Sequence, residues 1–205
     1  MPRRPLTEPE RERMRQRILD ATEELFDANG VGAVSMRAIG ARVGLAASAL
    51  YAYFPTKLDL IHALWRGAMV EMEGRFRCLS EQEPDPIRAV VLLGRAHAEF
   101  ALEQPARFRL LFLTSPEKID AAFVAADHYQ SAYQLLRNRI AEAIAQRRLV
   151  ITDAELAAQT LCSSIYGVLA LALTHKTFLT HPTRLLVETV IQTLVRGMVR
   201  GGDGG

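Results

Sequence analysis

The chain has 205 residues, of which 49% are hydrophobic and 23% are charged, and its formal net charge is only +2. This length is sufficient for one large or two small domains with a buried core, so the fold does not depend on disulfides. Cys78 and Cys162 lie 84 positions apart without Cys-x-x-Cys spacing, which is typical of a protein from a reducing compartment. We therefore expect a cytoplasmic protein.

The distribution of apolar residues along the chain does not indicate a membrane protein. The segment Met1–Arg17 is polar and contains no apolar core, so no secretory signal is predicted. The longest apolar stretch, Leu161–Leu173, is interrupted by Ser163, Ser164 and Gly167. It is shorter than the roughly 20 residues of a membrane span, and we predict a buried helix without membrane contact.

Helical periodicity dominates the chain, and no alternating apolar run is long enough to predict a sheet, so the predicted class is all-α. Caps and helix-breaking residues divide the sequence into nine helices. In chain order these are Thr7 to Asn29-Gly30, Ser35 to Val43, Ala47 to Tyr53, Lys57 to about Ser80, Asp85-Pro86 to Gln104, Pro105 to Leu113, Lys118 to Arg147, Thr152 or Asp153 to about His175, and His181-Pro182 to about Arg200.

The last two helices have the composition of a dimer interface. The ninth carries apolar residues over most of its circumference, with Arg184, Glu188, Gln192 and Arg196 as a narrow polar stripe. A terminal helix of this kind must bury more than one face. The eighth is rich in alanine, serine and glycine, which permit close helix packing. We therefore predict a homodimer through these two helices, about 153–175 and 182–200.

The second and third helices have helix-turn-helix dimensions, with Gly44-Leu45 as the turn between them. Between Val31 and Lys57 the chain has three basic residues, Arg37, Arg42 and Lys57, and no acidic one, and Arg3-Arg4 adds a basic arm upstream. A surface without acidic groups is compatible with phosphate. Small residues in the third helix would allow close approach to DNA, and Gly40 is expected where the two helices cross.

The residues of this region resemble the TetR family of transcriptional regulators. The resemblance lies in Ile18–Thr22, Leu25-Phe26, Gly30, Ser35–Leu45 and Leu50–Leu60, nearly fifty residues in one register. It implies a nine-helix, two-domain architecture, with a helix-turn-helix domain at residues 1–56 and a ligand-sensing and dimerisation bundle at 57–205. It also implies a double-stranded DNA operator as partner and repression as the usual mode of action.

The resemblance assigns roles to individual residues. Arg37 matches a position that in some members contacts a base or phosphate, Tyr51 and Tyr53 match recognition-helix aromatics, and Lys57 matches a phosphate-binding lysine. Ala47, Ser48, Ala49 and Ala52 are expected to face or border the major groove, where short side chains favour thymine-methyl contacts. Arg37 would then carry most of the hydrogen-bonded base readout.

Two positions depart from the family pattern. Ala46 stands where a serine or threonine usually caps the recognition helix, so that the cap is either absent or displaced to Ser48. Gly40 replaces the more common alanine.

The C-terminal bundle is expected to enclose a cavity for an unidentified small apolar ligand. The candidate lining residues are Trp65, Met69, Met72, Phe76, His97, Phe100, Phe108, Phe112, Phe123, Tyr129, Tyr133, Cys162 and Tyr166. His97 and Tyr166 are the polar groups expected to matter most.

Two other classes of function remain as alternatives. An enzyme is disfavoured because there is no Glu-x-x-His pair, nucleophile elbow, phosphate loop or dinucleotide motif. The five histidines lack zinc-ligand spacing, so no catalytic residue, metal or cofactor is predicted. The other alternative is a non-catalytic helical adaptor that binds only protein.

Overall fold

The computed structural model describes residues 7–29, 34–109, 127–175 and 177–200. In these ranges the chain forms nine helices. They are α1 (Glu8–Asn29), α2 (Met36–Val43), α3 (Ala47–Leu50), α4 (Lys57–Gln82), α5 (Pro86–Glu103), α6 (Pro105–Phe108), α7 (Asp127–Ala145), α8 (Ala154–Thr174) and α9 (Thr183–Met198). The described part contains no named strand, only an isolated antiparallel bridge between Leu149 and Val199. The all-α class is confirmed.

Capping side chains fix the starts of α2, α5 and α8. The Ser35 hydroxyl accepts from the Ala38 N–H at 3.2 Å, and the Asp85 carboxylate accepts from Ile87 and Arg88 N–H, both at 2.9 Å. At α8 the choice between two caps is resolved, because Asp153 accepts from the N–H groups of the second and third residues of that helix. These side chains satisfy N–H groups that have no partner within the helix.

The helix ends differ more from the prediction. The recognition segment is α-helical only over Ala47–Leu50 and continues as turns to Tyr53, and Pro55 disfavours helical backbone at the residue before it. Helix α4 extends to Gln82, two residues beyond the prediction. The predicted end of α6 and the predicted start of α7 lie outside the described residues. Helix α7 ends at Ala145. Two residues later, Arg147 has a φ of +57°.

Contacts divide the chain into two compact units. The first contains the described residues up to Ala68 and those from Ala106 to 109. Its core includes Ile18, Phe26, Ile39, Leu50 and Phe54. Within this unit α1 packs on α2 and α2 packs on α3, so α2 lies between the long first helix and the recognition helix.

The second unit contains Met69–Pro105 and the described residues after 126. In it α5 packs against α7 and α9, and α8 packs against α7 and α9. Gly94 on α5 permits this, because a β-carbon there would lie 3.2 Å from both Ile165 and Ile191 side chains. Arg95 of α5 forms a bidentate ion pair with Glu188 of α9, with nitrogen–oxygen distances of 2.6 and 2.8 Å. One member of the predicted polar stripe is therefore paired within the unit.

Helix α8 is less buried than the sequence indicated. Only Ala157, Ala158, Leu161, Ile165 and Leu169 are buried, whereas Leu156 is 53% exposed. By length and composition alone this 21-residue helix could cross a membrane, with 28% of its most apolar window buried within the chain. Within the single chain the predicted burial therefore holds for one face of α8 only, because the neighbouring helices cover only that face.

Candidate nucleic-acid interface

The turn between α2 and α3 is built by two glycines. Gly44 has a φ of +74°, in the left-handed region that glycine adopts without steric cost. The Leu45 N–H donates to the Gly40 carbonyl at 2.9 Å, closing the end of α2. A β-carbon on Gly40 would lie 2.6 Å from the Leu45 carbonyl oxygen and 3.3 Å from the Ala47 nitrogen. The expected close packing at Gly40 is confirmed.

Helix α3 begins without a side-chain cap. Ala46 occupies the N-cap position with extended backbone and makes no side-chain hydrogen bond to the helix. Of the two alternatives for the cap, its absence agrees with the structure. Backbone bonds continue past the helix, since the N–H groups of Tyr53 and Phe54 both donate to the Leu50 carbonyl at 2.9 Å.

Helix α4 starts with a reciprocal capping box. The Asp59 carboxylate accepts from the Thr56 N–H at 2.9 Å, and the Thr56 hydroxyl accepts from the Asp59 N–H at 3.0 Å. This arrangement satisfies unpaired donors at both positions. It also fixes the first helical turn, on which Lys57 is half-buried.

The residues predicted to bind DNA divide by exposure. Arg37, Ser48 and Tyr51 are exposed, and Tyr51 retains half of its surface. Ala47, Ala49, Tyr53 and Lys57 are half-buried. Within the described ranges, no ion pair involves Arg37. Leu50 and Phe54, in contrast, have at most 1% exposure and are core residues.

One residue of the basic stretch is already neutralised. Arg42 donates to a single oxygen of Glu24 on α1, from Nε at 2.9 Å and from Nη2 at 2.6 Å. The acid-free run in the sequence therefore does not produce three unpaired cations, because Glu24 lies close in the fold although it lies 18 positions earlier.

Two arginines of α1 that sequence reasoning did not select contact the end of the recognition segment. Arg11 Nη2 donates to the Ala52 carbonyl at 2.8 Å, and Arg15 Nη1 donates to the Tyr53 carbonyl. Their spacing of four residues places them on one helix face. That spacing is visible in the sequence, but their partners are about 40 residues away.

The predicted ligand-pocket residues are distributed over both units. Trp65 and Phe108 belong to the first unit, and both are buried. In the second unit Met69, Met72, Phe76 and Phe100 are buried, whereas His97, Tyr133, Cys162 and Tyr166 are half-buried. Phe112, Phe123 and the side chain of Tyr129 lie outside the described residues.

Burial sets the protonation of the polar members of this set. It lowers the pKa of His97 from 6.5 to about 4 and raises the pKa of Cys162 to about 11. Burial, reinforced by a 2.6 Å hydrogen bond to Glu155, raises the pKa of Tyr133 above its ordinary value. The same hydrogen bond is the largest contribution that lowers the pKa of Glu155. These side chains are neutral at physiological pH, apart from the ionised Glu155.

The second unit also has an open groove of about 590 Å³ between α5 and α9. Its lining differs from the predicted pocket and consists of Glu83, Ile87, Arg88, Val91, Leu92, Arg95, Gln192, Val195, Arg196, Val199 and Arg200. No group of three or more potential metal ligands occurs among the residues that the structure describes.

Comparison with known families identifies both parts of the chain. Residues 18–64 match the N-terminal domain of "Bacterial regulatory proteins, tetR family". Residues 90–194, about half of the chain, match "Tetracyclin repressor-like, C-terminal domain". This chain belongs to the TetR family.

Individual TetR relatives support the assignment. The HTH-type transcriptional repressor KstR of Mycolicibacterium smegmatis is 47% identical over 55 residues, which is 27% of this chain and 26% of KstR. The HTH-type transcriptional repressor DrrR1 of Streptomyces coeruleorubidus is 25% identical over 174 residues, 75% of this chain and 63% of DrrR1. The chain thus covers about a quarter of KstR and less than two thirds of DrrR1.

A solved structure of a transcriptional regulator shows the same fold over nearly the whole length. FadR from Bacillus subtilis, crystallised in complex with stearoyl-CoA, superposes with a TM-score of 0.72 at 19% identity. The superposition covers 89% of this chain and 98% of FadR. The two-domain helical architecture expected from the sequence is therefore confirmed.

Proposed function

We propose that this protein is a homodimeric transcriptional repressor that binds a double-stranded DNA operator and is released by a small apolar ligand. The observation that carries the proposal is the helix-turn-helix of α2 and α3. Its exposed side chains Arg37, Ser48 and Tyr51 lie in a stretch without acidic residues, next to the half-buried Lys57. A recognition element of this kind enters the major groove, with phosphate contacts around it.

Phosphate contacts are assigned to Lys57, Tyr51 and Tyr53. Lys57 lies in the first turn of α4, where the positive end of the helix dipole also favours an anion. Tyrosine hydroxyls donate to phosphate oxygens without reading sequence. These contacts would set the register of the protein on the duplex.

Base recognition is assigned to α3 and Arg37. Ala47, Ser48 and Ala49 are too short for bidentate contacts and favour close approach and thymine-methyl contacts. Arg37, exposed on α2, would supply the hydrogen bonds to a base edge. Arg42 is not included, because Glu24 already occupies its guanidinium.

Dimerisation is assigned to the outer faces of α8 and α9. On α8 the face opposite the core carries Leu156, Thr160, Ser163 and Gly167, a mixture of apolar and small residues. On α9 Leu185 is 54% exposed. Burial of these faces against a second copy would remove apolar surface from water and bring two recognition helices to one operator.

Ligand binding is assigned to the bundle of the second unit. The side chains of Met69, Phe76, Phe100, His97, Tyr133 and Tyr166 offer mostly apolar surface with a few neutral polar groups, which suits a small apolar ligand. The relatives KstR and DrrR1 are named as repressors. Ligand entry would release this protein from its operator by shifting α4 and α6.

A regulator with these properties acts in the cytoplasm and needs no catalytic residue. A helical adaptor that binds only protein would have no use for an exposed, acid-free helix-turn-helix, and no observation favours it.

Selection of random duplex DNA by the purified full-length chain tests the proposal. The recovered sites are sequenced, and their affinities are measured at two salt concentrations. We expect a pseudo-palindromic motif with half-sites about one helical turn apart. Recovery of no enriched sequence, with binding that depends only on salt, would contradict a sequence-specific regulator.

A further inference from the structure

The recognition segment is too short to hold its own shape. Its helical part is a single turn, Ala47–Leu50, without a side-chain cap at Ala46. The cost of helix nucleation makes an isolated turn of this length unstable in water. The orientation of Tyr51 and Tyr53 therefore depends on contacts with the rest of the first unit.

The C-terminal end of this segment is held by two arginines of α1. Arg11 donates to the Ala52 carbonyl at 2.8 Å, and Arg15 donates to the Tyr53 carbonyl. These carbonyl groups end the segment and have no later helical N–H to pair with. Hydrogen bonds from a charged guanidinium are stronger than those between neutral groups, so each arginine holds its carbonyl group firmly.

Ring contacts reinforce both hydrogen bonds. The Arg15 guanidinium carbon lies 4.2 Å from the centroid of the Phe54 ring, and that of Arg11 lies 6.0 Å from the centroid of the Tyr53 ring. Phe54 is 1% exposed, so the guanidinium of Arg15 is stacked on the core. A planar guanidinium can stack and donate simultaneously, whereas a lysine ammonium retains the charge but not this geometry.

We infer that Arg11 and Arg15 are positioning residues, which lock the C-terminal end of the recognition segment and so set the angle at which α3 and its base-facing side chains enter the major groove. This inference rests on the proposed function. Because both arginines bind backbone carbonyls, they hold the segment whatever side chains it carries. Their effect is on operator discrimination rather than on general affinity for DNA.

The test uses Arg11→Lys and Arg15→Lys in the full-length protein, with Arg17→Lys as control. Arg17 is exposed on the same helix, and its substitution also conserves charge. Affinity is measured for the selected operator and for a random duplex at several salt concentrations. Thermal unfolding and oligomeric state are recorded for each variant.

We expect the ratio of operator to random-duplex affinity to fall about ten-fold in each of the two variants, the effect of losing one hydrogen bond to a charged donor. Affinity for random duplex and the salt slope should remain as in the wild type, because the number of cations is unchanged. Arg17→Lys should change neither quantity.

Two results would overturn the inference. One is an unchanged discrimination ratio in both variants. The other is an equal loss for operator and random duplex, which would identify the arginines as phosphate contacts. A wild-type protein that selects no sequence would instead contradict the proposed function.

A second measurement applies even to a variant that is too unstable for binding assays. Fluorine NMR of protein labelled with fluorotyrosine reports on Tyr51 and Tyr53 without DNA, with signals assigned by single Tyr→Phe substitutions. Arg11→Lys and Arg15→Lys should shift the signals of Tyr51 and Tyr53 and leave that of Tyr166 in place. Unshifted signals of Tyr51 and Tyr53 would contradict the inference.

Discussion

Gly40 faces the carbonyl oxygen of Leu45 so closely that a β-carbon on the glycine would lie 2.6 Å from that oxygen. The oxygen belongs to the backbone of the turn, so it cannot move aside as the end of a flexible side chain would. The turn is further fixed by the φ of +74° at Gly44. The crossing of α2 and α3 in this chain thus requires glycine, although alanine is common at this position in the TetR pattern.

Gly40→Ala is therefore expected to destabilise the first unit. Strain from one added carbon in a packed site costs roughly 1 to 3 kcal/mol, which exceeds the gain of about 1 kcal/mol in helix propensity. The free energy of unfolding from urea denaturation at fixed protein concentration measures the balance. Operator affinity should fall as well, since α3 would be displaced.

Gly67→Ala is the matched control. It lies within α4, and a β-carbon there would meet nothing within 4 Å, so stability should rise by about 0.5 to 1 kcal/mol. A gain of stability in both glycine variants would show that the α2–α3 crossing can relax without cost.

Replacement of Lys57 by alanine and replacement of Arg37 by alanine should affect DNA binding in different ways. Loss of the phosphate contact of Lys57 should weaken binding to all sequences and reduce the salt slope by about one. Loss of Arg37 should relax the base preference at one position of each half-site. Operator variants titrated at several salt concentrations separate the two effects. Equal losses that do not depend on sequence in both variants would refute this division of roles.

Gly167→Arg should separate the proposed dimer without disturbing the protomer. A β-carbon at Gly167 meets nothing within 4 Å in the chain, but an arginine side chain would hold two closely packed helices apart. Sedimentation equilibrium should show a monomer at concentrations where the wild type is a dimer, and operator affinity should fall with it.

Gly74→Arg is the control for that experiment. Gly74 is exposed on α4, and a β-carbon there likewise meets nothing within 4 Å. This variant should remain dimeric. A dimeric Gly167→Arg protein would place the interface elsewhere.

His97 should make the stability depend on pH between neutral and mildly acidic conditions. The unfolded imidazole takes up a proton below its ordinary pKa of 6.5, whereas burial lowers the pKa in the folded chain to about 4. Stability contributed by the neutral form is therefore lost as pH falls below 6.5, by about 2 kcal/mol between pH 7 and pH 5. Urea denaturation across this range measures the slope.

His97→Asn should remove most of that slope, and the exposed His175 serves as control in a His175→Asn variant. The lower limit of this pH range lies above 4.5, the ordinary pKa of Glu155 and Glu188, and the fold lowers the pKa of both carboxyl groups further. An unchanged slope in His97→Asn would assign the pH dependence to another group.

Structural features that depend on residues only a few positions apart could be predicted from the sequence. Ser35, Asp85 and Asp153 cap the helices that they were expected to cap, because a capping side chain reaches only the next two or three N–H groups. Gly44 ends α2 for the same local reason. The all-α class, the helix-turn-helix and the start of α4 at Lys57 followed from such signals.

Relationships across the chain were decided only by the tertiary structure. Glu24 neutralises Arg42, and Arg11 and Arg15 hold the end of the recognition segment, although 18 to 41 positions separate the partners. The two predicted domain limits and the ligand-pocket residues remain predictions for the same reason. The composition of α8 predicts a buried helix, but the burial of each residue depends on which face of the helix its neighbours cover. Sequence alone does not determine which surfaces pack together.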